Sequence, residues 1–196
     1  MIALSCADSG SVSRVADVLL RGGVAVIPTD TVYGLAAHPG CLDAVARLAA
    51  IKGRPRSKPI ALLASDVGAA EAFAGGFAPV ARGLAETYWP GALTLVVPCV
   101  GGDGVEVLEG LRVPDHSWAR GLLAACGGVL RVTSANLSGG MPALDAGDVF
   151  ASLGLQADVL ADDGPCRGGV ASTVVQVCGD GSVRVLREGP VRVGCL

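Results

Sequence analysis

Lysine is nearly missing from this chain: two occur in 196 residues, against 29 glycines, and histidine also occurs only twice. His38 and His116 stand in no H-E-x-x-H motif and beside no G-x-S-x-G elbow, so metalloprotease and hydrolase-triad chemistry lack their carriers. Aromatic residues make up 4% of the chain, too few for the stacking platforms that grip single-stranded nucleic acid. No apolar run approaches the roughly 20 residues that span a bilayer, and MIALSCADSG at the amino terminus lacks the basic start and apolar core of a secretory signal. Cysteines 6, 41, 99, 126, 166, 178 and 195 are odd in number and form no C-x-x-C pair. Free thiols in a reducing cytoplasm are therefore expected, not a disulfide framework or a zinc site. Basic charge is not in excess either: Lys+Arg 15 against Asp+Glu 18 gives −3, which excludes a histone-like coat but not a local basic patch.

What is present is apolar and regularly punctuated. Hydrophobic residues are 51% and charged residues 17%, enough to bury one core and too apolar for disorder. Apolar residues at helical spacing mark residues 11–21, where serines cap the start and Gly22-Gly23 stops the run, and again residues 41–53. Alanine-rich helices are expected around 66–74 and 79–88, and another over 116–126. Short apolar runs at 24–28, 60–64, 93–98, 111–114 and 129–133 read as buried strands, and 172–177 with 182–187 as a terminal hairpin. Alternation of this kind predicts an α/β fold, a single domain over residues 1–196 with helices on both faces of a sheet that the hairpin makes mixed.

The chemistry concentrates where the lysines are. Lys52 and Lys58 fall with Arg54 and Arg56 in IKGRPRSKP, four cations in seven positions, with no acid between Asp43 and Asp66. Glycine and proline make this a loop leading into a buried strand, and loops at strand ends are where open α/β sheets bind ligands. Cations crowded this closely suit an anion such as a nucleotide's phosphates; the plainer alternative is a solvated basic loop. Neither G-x-x-x-x-G-K-[ST] nor G-x-G-x-x-G occurs, so any nucleotide is held by other means. Three more polar segments sit at strand ends: PTDTVYGLA (28–36), VTSANLSGG (132–140) and Ser172-Thr173 with the closing Arg187-Glu188-Gly189-Pro190. Each alone reads as a turn satisfying its own backbone; together with the basic loop they form a constellation.

In order along the chain, PTDTVYGLA, IKGRP-x-x-KP, YWPGALTLV, LRVPDH, TSANLSG, STVV and LREGP resemble the YrdC-type L-threonylcarbamoyladenylate synthases, over about residues 10–190. The resemblance implies a twisted mixed sheet with a concave cleft and without the additional carboxyl-terminal domain of longer members. It implies the joining of L-threonine, bicarbonate and ATP into threonylcarbamoyl-AMP with release of pyrophosphate, for a transfer machinery that modifies the adenosine beside the tRNA anticodon. Carried over by position, Thr31, Arg112, Ser134 and Ser172 hold threonine. Lys52, Arg54, Lys58, Val132, Asn136 and Arg187 hold ATP, with Lys52, Arg54 and Asn136 as the catalytic set. Mg2+ is expected to arrive with ATP, without a protein ligand. Two departures stand out: Leu63 where some members carry a histidine, and GGMPA after Ser138, one residue longer than usual. Lys52 and Arg54 are expected in a solvated loop, so that alanine there cripples activity and leaves the fold intact. The rival readings are a double-stranded RNA or tRNA-binding module, which the net charge weakens, and a paralogue with a different or lost acyl-adenylate activity.

Overall fold

The computed structural model describes residues 1–53, 55, 58–100 and 104–193. Its strands are β1 (Ile2–Ser5), β2 (Val24–Ile27), β3 (Gly34–Ala37), β4 (Leu62–Ala64), β5 (Leu93–Val100), β6 (Glu106–Arg112), β7 (Val129–Ser134), β8 (Val159–Asp162), β9 (Thr173–Val177) and β10 (Val183–Arg187). The helices are α1 (Ser11–Leu20), α2 (Leu42–Ile51), α3 (Val67–Ala74), α4 (Pro79–Tyr88), α5 (Ser117–Ala125) and α6 (Ala146–Leu153). All ten strands join one sheet in the order β1-β8-β2-β3-β7-β4-β6-β5-β9-β10.

The sheet is mixed, but not only at its end. β1–β8, β2–β8, β4–β6 and β5–β9 pair parallel, while β2–β3, β3–β7, β4–β7, β5–β6 and β9–β10 pair antiparallel. The central mixing comes from β3, which lies inside the PTDTVYGLA segment read as a loop. Gly34 permits it, because a Cβ there would come 2.6 Å from Val132 Cγ1 on β7. β6 is longer than the 111–114 expected from its apolar run. It starts at Glu106 with exposed residues held by pairing to β5, and it ends at Arg112.

Helix ends follow local chemistry. Asp66 accepts from Ala69 N at the start of α3, and Asp145 from Asp148 N at the start of α6. The serine cap expected for α1 is not used: Gly10, at φ 79°, stands at the cap, and Ser11 lies inside the helix. At its other end Gly22 N and Gly23 N bond Leu19 O and Val18 O, the expected glycine stop.

Because side chains alternate across strands, each strand divides its residues between two layers. Leu35, Ala37, Leu62, Leu93, Leu95 and Val175 face the layer of α2, α6, α3 and α4. Ala36, Leu63, Leu130 and Val132 face the layer of α1 and α5. Helices do cover both faces, but unequally: among the described residues α1 packs on β2 and β8 and α5 on β4 and β7, the half of their face nearer β1. The uncovered half is where a ligand has access.

Candidate active site

On that open half residues of β3–β7, β9 and β10, with the β2–β3 connection and Ser172 before β9, line a cavity of about 480 Å³, among them Thr31, Leu63, Thr94, Arg112, Val132, Ser134, Ser172 and Arg187. Among the described residues the lining includes no Asp or Glu. Six of the residues expected to bind ligand thus converge here, from β6, β7, β10, the β2–β3 connection and the approach to β9: Thr31, Arg112, Val132, Ser134, Ser172 and Arg187.

Arg112, at the end of β6, is the centre of one side. It is 5% exposed. Its Nε donates to Gly91 O at 2.8 Å, Nη1 to Thr31 Oγ1 at 2.9 Å and Nη2 to Asp30 Oδ1 at 2.5 Å. Burial pulls the guanidinium below its usual range, Asp30 opposes that, and the charge of Arg187 nearby adds to the lowering. Thr29 fixes the Asp30–Thr31 turn: its hydroxyl donates to Val32 O and accepts from Thr31 N and Val32 N. Gly168 N and Gly169 N then hold Asp30 O and Thr31 O, and a Cβ on Gly168 would strike Asp30 O at 2.6 Å.

Arg187, at the end of β10, reaches back to Ser172, bonding its carbonyl through Nε (3.0 Å) and Nη2 (2.7 Å) and its hydroxyl through Nη2 (3.1 Å). This approach explains the glycine of LREGP. A Cβ on Gly189 would lie 2.4 Å from Thr173 N and 2.7 Å from Ala171 O, so no side chain fits.

The lysines do not behave as a pair. Lys52 was expected in a solvated loop; it is 3% exposed and stands behind the cavity wall. Following α2, it sends Nζ to Ser134 O (2.6 Å), Ser134 Oγ (3.0 Å), Asn136 O (2.9 Å) and Asn136 Oδ1 (3.3 Å), while its own carbonyl accepts from Ser138 N. Asn136 also stands behind the wall: its Nδ2 donates to Leu137 O and Gly140 O, where GGMPA begins. Ser134 belongs to both sets, lining the cavity and accepting from Lys52. Lys58 is exposed and lines a groove on the α2 side, sharing Pro59 with the cleft. Arg54 and Arg56 lie outside the described residues.

Two participants had no role assigned from the sequence, although Asp30 belongs with Thr29, Thr31 and Tyr33 to the polar PTDTVYGLA segment. Asp30 stood in plain view beside Thr31, but nothing local showed that it would meet Arg112. Thr94 lies in an apolar run, yet alternation sets it opposite Leu93 and Leu95, a legible signal for a polar side chain on the cleft floor. Asp30 also borders a second cavity of about 310 Å³, on the side of Asp115, His116 and Asp163.

Known proteins resemble this chain in sequence and fold. The Sua5/YciO/YrdC domain family, described as "Telomere recombination", matches residues 17–189. A putative threonylcarbamoyl-AMP synthase of Mycobacterium tuberculosis (strain ATCC 25618 / H37Rv) is 38% identical over 196 residues, covering 95% of this chain and 89% of the relative. The threonylcarbamoyl-AMP synthase of Bacillus subtilis (strain 168) is 34% identical over 187 residues, and the match covers 92% of this chain but 54% of that protein. The crystal structure of P. abyssi Sua5 complexed with L-threonine superposes with a TM-score of 0.85 at 29% identity, covering 96% of this chain and 57% of that one. The chain thus spans little more than half of two of these relatives and most of the third. It belongs to the Sua5/YciO/YrdC family.

Proposed function

We propose that this chain is a threonylcarbamoyl-AMP synthase, a nucleotidyltransferase that makes threonylcarbamoyl-AMP and pyrophosphate from L-threonine, bicarbonate and ATP. The observation that carries the reading is the buried Arg112, oriented by Asp30, Thr31 and Gly91, facing a cleft whose described lining offers hydroxyls and Arg187 beside apolar residues, and no Asp or Glu, the nearby Asp30 being paired with Arg112. Such a wall accepts a carboxylate and a polyphosphate together; an acid among them would repel both.

Bicarbonate gains a proton and loses water to give carbon dioxide; threonine's neutral amine bonds its carbon and releases a proton to water, leaving a carbamate. A carbamate oxygen then bonds the α-phosphorus of ATP as the bond from that phosphorus to the bridging oxygen breaks and pyrophosphate leaves. No protein nucleophile takes part, so the enzyme's task is positioning and charge stabilisation. Arg112 and Ser172 hold the amino acid with Thr31, and Ser134 meets it at the junction with the nucleotide. Val132 lends its backbone beside the nucleotide. Arg187, Lys58 and Arg54 supply phosphate charge. Lys52 and Asn136 hold the Ser134–Ser138 loop in shape. Among the described residues no three His, Cys, Asp or Glu group to hold a metal. Magnesium, if the nucleotide brings it, is held by triphosphate oxygens and water. The product serves tRNA modification through separate transfer proteins.

Pyrophosphate release from ATP tests this. It should require both L-threonine and bicarbonate, and L-valine should replace threonine poorly because it leaves buried hydroxyls unpaired. Release that ignores threonine or bicarbonate, or an equal rate with valine, overturns the reading.

A further inference from the structure

The geometry points to Thr94 as a positioning residue for the carboxylate of threonine, acting through Ser172. This rests on the cleft being the threonine site proposed above.

Thr94 Oγ1 lies 2.8 Å from Ser172 Oγ, and the two residues are 6% and 5% exposed. The methyl faces the neighbouring strand: Thr94 Cγ2 packs beside Gly110 on β6, 3.4 Å from where a Cβ there would stand, while the hydroxyl faces Ser172. Register supports the placement, with Thr94 opposite Val174 across β5–β9.

The hydroxyls can be counted. Two groups offer two protons and four lone pairs. One proton closes the Thr94–Ser172 bond, and one lone pair of Ser172 is filled by Arg187 Nη2 at 3.1 Å. One proton is left for the cleft. Without ligand either hydroxyl can present it. With a carboxylate in the cleft the choice narrows, because a charged acceptor makes a bond roughly twice as strong as a neutral one. Ser172 then gives its proton to the carboxylate, and Thr94 turns donor and fills the second lone pair of Ser172. With both lone pairs taken, Ser172 can only donate, which suits a carboxylate oxygen and disfavours an ammonium. Thr94 thus sets the polarity of Ser172 without touching the substrate itself.

Thr94→Val keeps shape and removes the hydroxyl; Thr94→Ser keeps the hydroxyl. In steady-state pyrophosphate release by the full chain, Thr94→Val should raise the KM for L-threonine about three- to tenfold, the worth of one neutral hydrogen bond. The KM for ATP should stay within about twofold, and Thr94→Ser should restore the threonine KM to within about twofold of wild type. Inhibition by L-threonine amide, which lacks the charged acceptor, should differ little between wild type and Thr94→Val. An unchanged threonine KM in Thr94→Val overturns the inference. So does an equal rise for ATP or for the amide, or a failure of Thr94→Ser to restore binding, since each marks a packing role. Wild-type protein with no threonine-dependent release overturns the functional reading itself, an outcome distinct from an active wild type indifferent to Thr94.

Discussion

At one side of the cleft Arg112 is buried against a carboxylate; at the other Lys52 is buried against neutral oxygens. Three of the five guanidinium N–H groups of Arg112 bond Gly91, Thr31 and Asp30, which leaves two for a ligand. Lys52 has three N–H groups, and four oxygens of Ser134 and Asn136 lie within 2.6–3.3 Å of its nitrogen. The ion pair of Arg112 with Asp30 is close to neutral, and Arg187 beside it adds the positive charge that draws an anion. Ligand capacity in a buried cation therefore depends on donors left over, not on the charge alone. By that measure Arg112 keeps donors for a ligand, whereas Lys52 holds the loop together.

Lys52→Met should have the largest effect, and on stability. It strips the donor from buried carbonyls and hydroxyls that the loop cannot fully rehydrate, at a cost of about 2–4 kcal/mol. For a chain of this size each kcal/mol moves Tm by about 2–4 °C, so a clear fall should appear in a far-UV circular dichroism melt. This replaces the expectation that loss of Lys52 spares the fold. A Tm within about 2 °C of wild type would erase the contrast, because Lys52 would then be as dispensable to the fold as a surface lysine.

Arg112→Lys should act mainly on the substrate. It keeps the charge but loses the planar fork that bonds three partners at once. The KM for L-threonine should rise about 10- to 100-fold, the equivalent of one to two factors of 1.4 kcal/mol. The KM for ATP, measured in the same pyrophosphate assay, should move far less. Equal rises for both substrates would mean that Arg112, like Lys52, serves the frame.

Much of the fold was legible because apolar runs and glycine stops coincide with its elements: α1 through α5, β2, β5, β7 and the terminal hairpin lie where periodicity puts them. β1, β8 and α6 escaped because short elements carry little period, and β3 because its Gly-Leu-Ala-Ala reads as the end of a polar loop. In the site, the convergence of Thr31, Arg112, Ser134, Ser172 and Arg187 followed from polar residues at strand ends, read together with the family pattern. The burial of Lys52 did not, since a cation among cations reads as surface. Only the β7 loop passing over the end of α2, from residues 82 and 84 positions away, turns that lysine inward. Asp30 shows the same limit, gaining its role from Arg112 far along the chain, whereas the alternation of Thr94 with Leu93 and Leu95 was a local sign that went unread.

The smallest expected effect belongs to the other lysine, six positions on. Lys58 is exposed, and its backbone N–H closes a turn on Pro55 O at 3.0 Å, a contact that survives truncation of the side chain. Lys58→Ala should therefore leave stability within about 0.5 kcal/mol of wild type. If the proposed function holds, its effect should fall on ATP, as the loss of one cation near the triphosphate. A three- to fivefold rise in the KM for ATP corresponds to an exposed pair worth up to about 1 kcal/mol. Such an interaction is screened, so the difference between Lys58→Ala and wild type should shrink as salt rises from about 0.05 to 0.5 M, where the Debye length falls well below 10 Å. A difference that persists at high salt would point to a desolvated contact, and a Tm loss matching that of Lys52→Met would make the two lysines alike. Either result breaks the division between a lysine that builds the loop and one that meets the nucleotide.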